Sequence, residues 1–154
     1  MTVRVAVLGC GYWGGNHIRT LSGLGVLHAV SDANRARAEG LAREFNCLCV
    51  DPADLYDHPE IDAIVMALPP QYHAEAAIRA VRAGKDVLVE KPIALSVADA
   101  KAAVNAARDA GRVFHRLSAR AAGDAQLELG QAEGVLHVDQ QQRHALPILG
   151  GGAQ

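Results

Sequence analysis

Residues 3–15 read VRVAVLGCGYWGG. A β-rich apolar run stops on Gly9, glycines follow in the spacing Gly9-x-Gly11-x-x-Gly14, and Ile18, Leu21 and Leu24 then recur at helical spacing until Gly25. The order is strand, tight glycine turn, helix. A bare glycine triplet of this kind is common, so its meaning depends on what surrounds it.

Outward from this stretch, apolar runs alternate with helical patterns almost without pause. Strands are expected at 26–32, 47–50, 61–69 and 86–90, with a sixth beginning at 112–115. Helices are expected after Asn34, which can cap one, over 71–83, and after Ser96, with Gly84 and Gly111 as stops. Ser96 and Asp99 have the spacing of a capping box. Asp51-Pro52 has the order of a cap and first helical residue, so 52–57 is expected to form a short helical turn. The run IDAIVMALP at 61–69 is nearly all apolar, as a strand covered on both faces should be. Strict alternation with short connections predicts an α/β fold, a doubly wound parallel sheet with helices on both faces.

That context gives the glycines a chemistry. Gly9 permits the tight turn, Gly11 lets backbone approach a pyrophosphate, and Gly14 lets the helix lie close to the strand. The unpaired N–H groups at the helix start, around Tyr12 and Trp13, then face the phosphates. Asp32 ends the second strand, 18 residues after Gly14, where a carboxylate accepts hydrogen bonds from ribose hydroxyls. This favours NAD, while nearby Arg35 could pair with the 2′-phosphate of NADP. The bland alternative is a tight turn followed by a helix-capping aspartate.

In a doubly wound sheet, ligands bind at the carboxyl ends of the strands. The fourth strand closes on Leu68-Pro69-Pro70, whose two prolines stiffen the loop. His73 follows at a helix start, either as a surface residue or as a cofactor contact. The fifth strand ends on Glu90-Lys91-Pro92. A lysine ammonium there can hold a substrate hydroxyl or carbonyl and stabilise the charge that grows on oxygen as hydride leaves carbon. Glu90 can orient it and Pro92 can fix the backbone. A solvated lysine is the plain alternative.

Taken together, VAVLGCGYWG, ALPPQYH and AGKDVLVEKPIAL resemble the Gfo/Idh/MocA family of oxidoreductases, with GCGYWG most similar to members of the UDP-N-acetylglucosamine 3-dehydrogenase type. The resemblance covers residues 2 to about 114. It implies a Rossmann domain binding NAD, with NADP as an alternative, at Gly9, Gly11, Tyr12, Trp13, Gly14, Asp32 and Arg35. Contacts from Leu68, Pro69, Pro70, His73 and Glu90 are implied too, as is Lys91 as the catalytic lysine. The implied reaction is hydride transfer between nicotinamide and a sugar, nucleotide-sugar or cyclitol alcohol. The resemblance also implies a second, α+β domain with the substrate pocket and a proton-transfer histidine.

The pattern breaks after Phe114. Residues 1–115 are therefore expected to form the dinucleotide-binding domain. Residues 116–154, rich in Ala, Gly, Arg and Gln, are expected to be an atypical tail or a remnant from which the second domain is missing through truncation or a change of reading frame. His115, His137 and His144 are read as incidental residues rather than substitutes for the missing base. The net charge of −2 offers no basic patch for nucleic acid, and no apolar run is long enough to span a bilayer. Cys10, Cys47 and Cys49 lack metal spacing and suit reduced thiols, so a cytoplasmic protein without a metal site is expected. An incompletely covered sixth strand favours self-association. Two further functional readings remain: a non-catalytic dinucleotide-binding module, and an S-adenosylmethionine binder, which Glu90-Lys91-Pro92 disfavours.

Overall fold

In the computed structural model, which describes residues 2–117, six parallel strands run in the order β3-β2-β1-β4-β5-β6. The strands are β1 (Val5–Leu8), β2 (Leu27–Ser31), β3 (Leu48–Cys49), β4 (Ala63–Met66), β5 (Asp86–Val89) and β6 (Phe114–Arg116). The helices are α1 (Tyr12–Gly23), α2 (Arg35–Glu44), α3 (His73–Arg82) and α4 (Val97–Asp109), with a 3-10 turn at Pro70–Tyr72 leading into α3. The chain winds one way from β1 to β3, crosses back, and winds the other way from β4 to β6. This is the Rossmann topology. Its reversal point lies between β1 and β4, which pair from Val5 with Ala63 to Leu8 with Met66.

The period-two alternation of each strand divides the core into two layers. Val5, Val7, Val30, Val65 and Leu88 pack with Ile18 and Leu21 of α1 and Ala38 and Ala42 of α2. Ala6, Leu8, Ile64, Met66, Val87 and Val89 face the opposite way, onto Ala76, Ala77, Ala80 and Val81 of α3 and Ala103 and Ala107 of α4. Alanines along the facing sides of α3 and α4 allow close approach to a sheet with few aromatics. Full burial of a side chain such as Ile18 or Ile64 contributes about 1.5–3 kcal/mol.

At the end of the sheet away from the reversal crevice, polar ties fix register. Arg4 donates through its backbone N–H (2.8 Å) and its guanidinium (3.0 Å) to Asp62. These hydrogen bonds from Arg4 hold the Asp62 carboxyl below the usual carboxylate range. Buried Lys85 donates to the carbonyls of His58 and Ile61, each at 2.8 Å. Asp86 accepts from the Val113 N–H at 2.9 Å, aligning β6 with β5.

The short helical turn expected over 52–57 is present as turns that do not extend into a helix. The Asp54 and Leu55 N–H groups donate to the Asp51 carbonyl, and Asp51 Oδ1 takes the Ala53 N–H at 2.9 Å. Pro59 has no N–H to give, and the helical region is disfavoured for the residue before it, so no helix can propagate here. Leu55 and Tyr56 nevertheless reach the core. The third strand is two residues rather than four. Helix α1 begins at Tyr12, inside the glycine motif. Arg116, expected in the tail, closes β6, Leu117 joins the core, and His115 is buried in β6. The expectations for residues 118–154, including His137 and His144, lie outside the described residues. Among the described residues, no helix is long and apolar enough to cross a membrane, and no group of three or more His, Cys, Asp or Glu could hold a metal ion.

Candidate functional site

The three glycines of the first turn serve different ends. Gly9 sits at φ +96°, and a Cβ there would lie 2.4 Å from the Ala67 carbonyl oxygen. At Gly14 a Cβ would drive into the Gly9 carbonyl, 1.8 Å away. Both are demanded by the protein's own packing of β1, α1 and the end of β4. A Cβ on Gly11 would have no heavy atom within 4 Å. The room above Gly11 is therefore space that the described residues do not fill.

Helix α1 starts at that space. Gly11 is its N-cap and offers no side chain, whereas Asn34 caps α2 and Ser96 caps α4 through side-chain oxygens. The first-turn N–H groups of α1 thus lack a side-chain cap, at the positive end of the helix dipole. An anionic diphosphate fits such a cradle in both shape and charge.

Asp32 stands beside it, at the end of β2. Its Oδ2 accepts the Cys10 N–H at 2.6 Å and its Oδ1 accepts the Asn34 N–H at 2.7 Å. Each oxygen keeps lone-pair capacity, so the carboxylate is fixed in orientation yet able to accept further hydrogen bonds. Arg35 points elsewhere, pairing with Glu39 at 2.8 Å. The guanidinium near Asp32 belongs to Arg37, 3.9 Å from Oδ2. Cys10, buried next to Asp32, is no nucleophile: burial, with the Asp32 charge, pushes its thiol up to about 12.

The carboxyl ends of β4 and β5 supply the other wall. Buried Glu90 accepts from His17 of α1 at 2.8 Å and from the Lys91 N–H at 3.1 Å. Burial pushes its carboxyl up, but hydrogen bonds from His17 and the Lys91 amide, with the charges of both residues, outweigh this and hold it below the ordinary glutamate range. Glu90 faces inward as an anchor, not outward toward a ligand. Lys91 is exposed, its Nζ 5.8 Å from the centre of the Trp13 ring. Among the described residues its ammonium has no carboxylate partner. Leu68 and Pro70 are half-buried and Pro69 is exposed. His73 is 1% exposed, so the surface reading of this residue fails. Both of its ring nitrogens face carbonyl oxygens, so no ring nitrogen is free for a ligand.

The structure thus places Lys91 near Trp13 in the first turn of α1 and ties Asp32 to Cys10 of the glycine turn, with Arg37 rather than Arg35 near Asp32. His17 was missed by sequence reasoning. It lies three residues after Gly14, less than a turn along α1, and only the folded chain reveals that this faces Glu90, 73 residues away.

Residues 3–117 match the model of an oxidoreductase family with an NAD-binding Rossmann fold. The chain belongs to this Gfo/Idh/MocA family. Inositol 2-dehydrogenase 2 of Saccharopolyspora erythraea is 48% identical over 100 residues, covering 61% of this chain and 29% of that protein. The scyllo-inositol 2-dehydrogenase (NAD(+)) of Bacillus subtilis is 38% identical over 114 residues, covering 71% and 33%. Among solved structures, the 3-ketoreductase KijD10 of Actinomadura kijaniata, in complex with NADP and TDP-benzene, superposes with a TM-score of 0.71 at 28% identity, covering 75% of this chain and 37% of that one. The chain spans about a third of the length of these relatives. By their names, two of these are inositol dehydrogenases and one is a 3-ketoreductase. The matched part is the family's NAD-binding domain.

Proposed function

We propose that residues 3–117 are the cofactor half of an NAD(P)-dependent oxidoreductase acting on the secondary alcohol of a cyclitol or sugar, free or nucleotide-linked. The observation that carries this reading is the placement of Lys91. Its ammonium, without a carboxylate partner among the described residues, lies 5.8 Å from the ring of Trp13 in the first turn of α1, on a backbone anchored by Glu90 and His17. Bound nicotinamide would supply the hydride acceptor or donor. Gly11 and the first turn of α1 hold the diphosphate, and Asp32 takes the adenosine ribose hydroxyls. Lys91 holds the substrate oxygen and stabilises the negative charge that develops on it. The inositol dehydrogenases among the relatives support a cyclitol, and KijD10 supports a nucleotide-linked sugar.

A second reading, a dinucleotide-binding module without turnover, rests on the family match being confined to residues 3–117. One experiment separates the two. Trp13 is the sole tryptophan and lies beside Lys91, so transfer of its excitation to NADH reports binding. Purified chain is then given NAD with inositols and UDP- or TDP-sugars while absorbance of NADH is followed. Turnover that disappears in Lys91→Met supports the oxidoreductase. Binding without turnover supports the module, and the lack of any energy transfer removes both.

A further inference from the structure

The imidazole of His73 spans the two loops that frame the crevice. Its Nδ1 lies 2.6 Å from the Pro92 carbonyl oxygen and its Nε2 lies 2.7 Å from the Leu68 carbonyl oxygen. Leu68 follows β4 and Pro92 follows Lys91, so one ring touches the backbone on both sides of the β4–β5 end of the sheet. His73 itself is 1% exposed, while the Pro92 residue it reaches is exposed and Leu68 half-buried. Carbonyl oxygens only accept, and each contact is favourable only when the nitrogen concerned carries hydrogen. A neutral imidazole carries a single N–H and so donates to one of the two carbonyls, while the ring as a whole spans the gap between them.

We propose that His73 is a positioning residue, a clamp whose ring, lodged between the Leu68 and Pro92 carbonyls, fixes the main chain that carries Lys91. This rests on the reading of Lys91 as the group that meets substrate. Glu90 and His17 secure the chain on the β5 side of Lys91, and His73 secures it on the far side. Lys91 is thereby held between two anchors, one through residue 90 and one through residue 92. Such support confines the backbone of an exposed lysine while leaving its side chain free to meet a ligand. It also explains a histidine that is buried at a helix start with both ring nitrogens against carbonyl oxygens.

His73→Phe tests the clamp, because it keeps a ring of similar size and removes both ring nitrogens. Amide hydrogen exchange is compared between the variant and the unaltered 154-residue chain. A clamp predicts exchange faster by about tenfold or more in peptides spanning 68–72 and 90–95, with β1 and β2 unchanged. Unchanged exchange in those two loops, or an equal rise across the whole sheet, overturns it, the latter by showing that the ring is simply core packing. Should the variant not fold, long-range proton–nitrogen correlation on the unaltered chain decides. A ring N–H on His73 that is protected from exchange supports the clamp, and a ring N–H that exchanges as freely as in an exposed histidine overturns it. Neither measurement needs cofactor. Loosened loops in the variant, together with a lack of NADH energy transfer from Trp13 in the unaltered chain, would leave the clamp standing and remove the dinucleotide reading.

Discussion

Gly11 and Gly14 are three residues apart and look alike in the sequence, yet a methyl group distinguishes them. Gly14→Ala would force a Cβ into the Gly9 carbonyl, and the required separation of α1 from β1 should destabilise the fold by about 3 kcal/mol or more. Gly11→Ala meets nothing within 4 Å, so its urea midpoint should stay put while NADH binding, read by Trp13, weakens by about tenfold or more. Equal stability losses in the two variants would refute the assignment of the space over Gly11 to a ligand. Glu90 makes a second residue-scale prediction. Its carboxyl lies below the ordinary range when folded and returns to that range when unfolded. Its contribution is therefore present above the unfolded value and lost as pH falls through the folded one. Glu90→Gln should cost about 1–2 kcal/mol at neutral pH, and the cost should shrink toward zero in increasingly acidic urea titrations. A cost independent of pH would point to shape rather than charge.

Helix ends show which local signals carry over into structure. The Ser96 hydroxyl accepts the Asp99 N–H at 3.0 Å, as the capping-box spacing predicts, but Asp99 returns its contact to that hydroxyl at 2.7 Å rather than to the Ser96 N–H. Ser96→Ala should lower stability by about 1 kcal/mol in chemical denaturation, and Asp99→Ala by less. The reverse order would mean that the first-turn charge, not the cap, secures α4. Elsewhere a similar signal goes no further than one turn. Asp51-Pro52 looks like a helix start, but Pro59 closes off the segment before a helix can extend, and tertiary burial of Leu55 and Tyr56 holds the turns in its place. Strands were legible because their residues are apolar on both faces. Their ends were less so, since the expected runs include residues that leave the ladder to build the crevice loops.

For the molecule as a whole, the crevice at the β1–β4 reversal should couple cofactor to folding. Binding to the native state alone at a hundred times the dissociation constant adds about 2.7 kcal/mol. NADH should therefore raise the melting temperature in a concentration-dependent way. NADPH at equal concentration should raise it less, because its 2′-phosphate meets the Asp32 carboxylate, with affinity lower by about tenfold or more. Equal shifts would mean that Arg37, 3.9 Å from Asp32, has turned to the phosphate.

The sequence alone determined the order of strands and helices, the two-sided burial of the sheet, the glycine turn and the acid at the end of β2. All of these follow from short-range periodicity and backbone sterics, which act within a few residues. The tertiary structure alone decided that Glu90 turns inward to His17, that His73 is consumed by two carbonyls, and that Arg37 rather than Arg35 approaches Asp32. Those outcomes depend on side chains from separate strand ends converging at one edge of the sheet, and no local spacing encodes where such chains will meet.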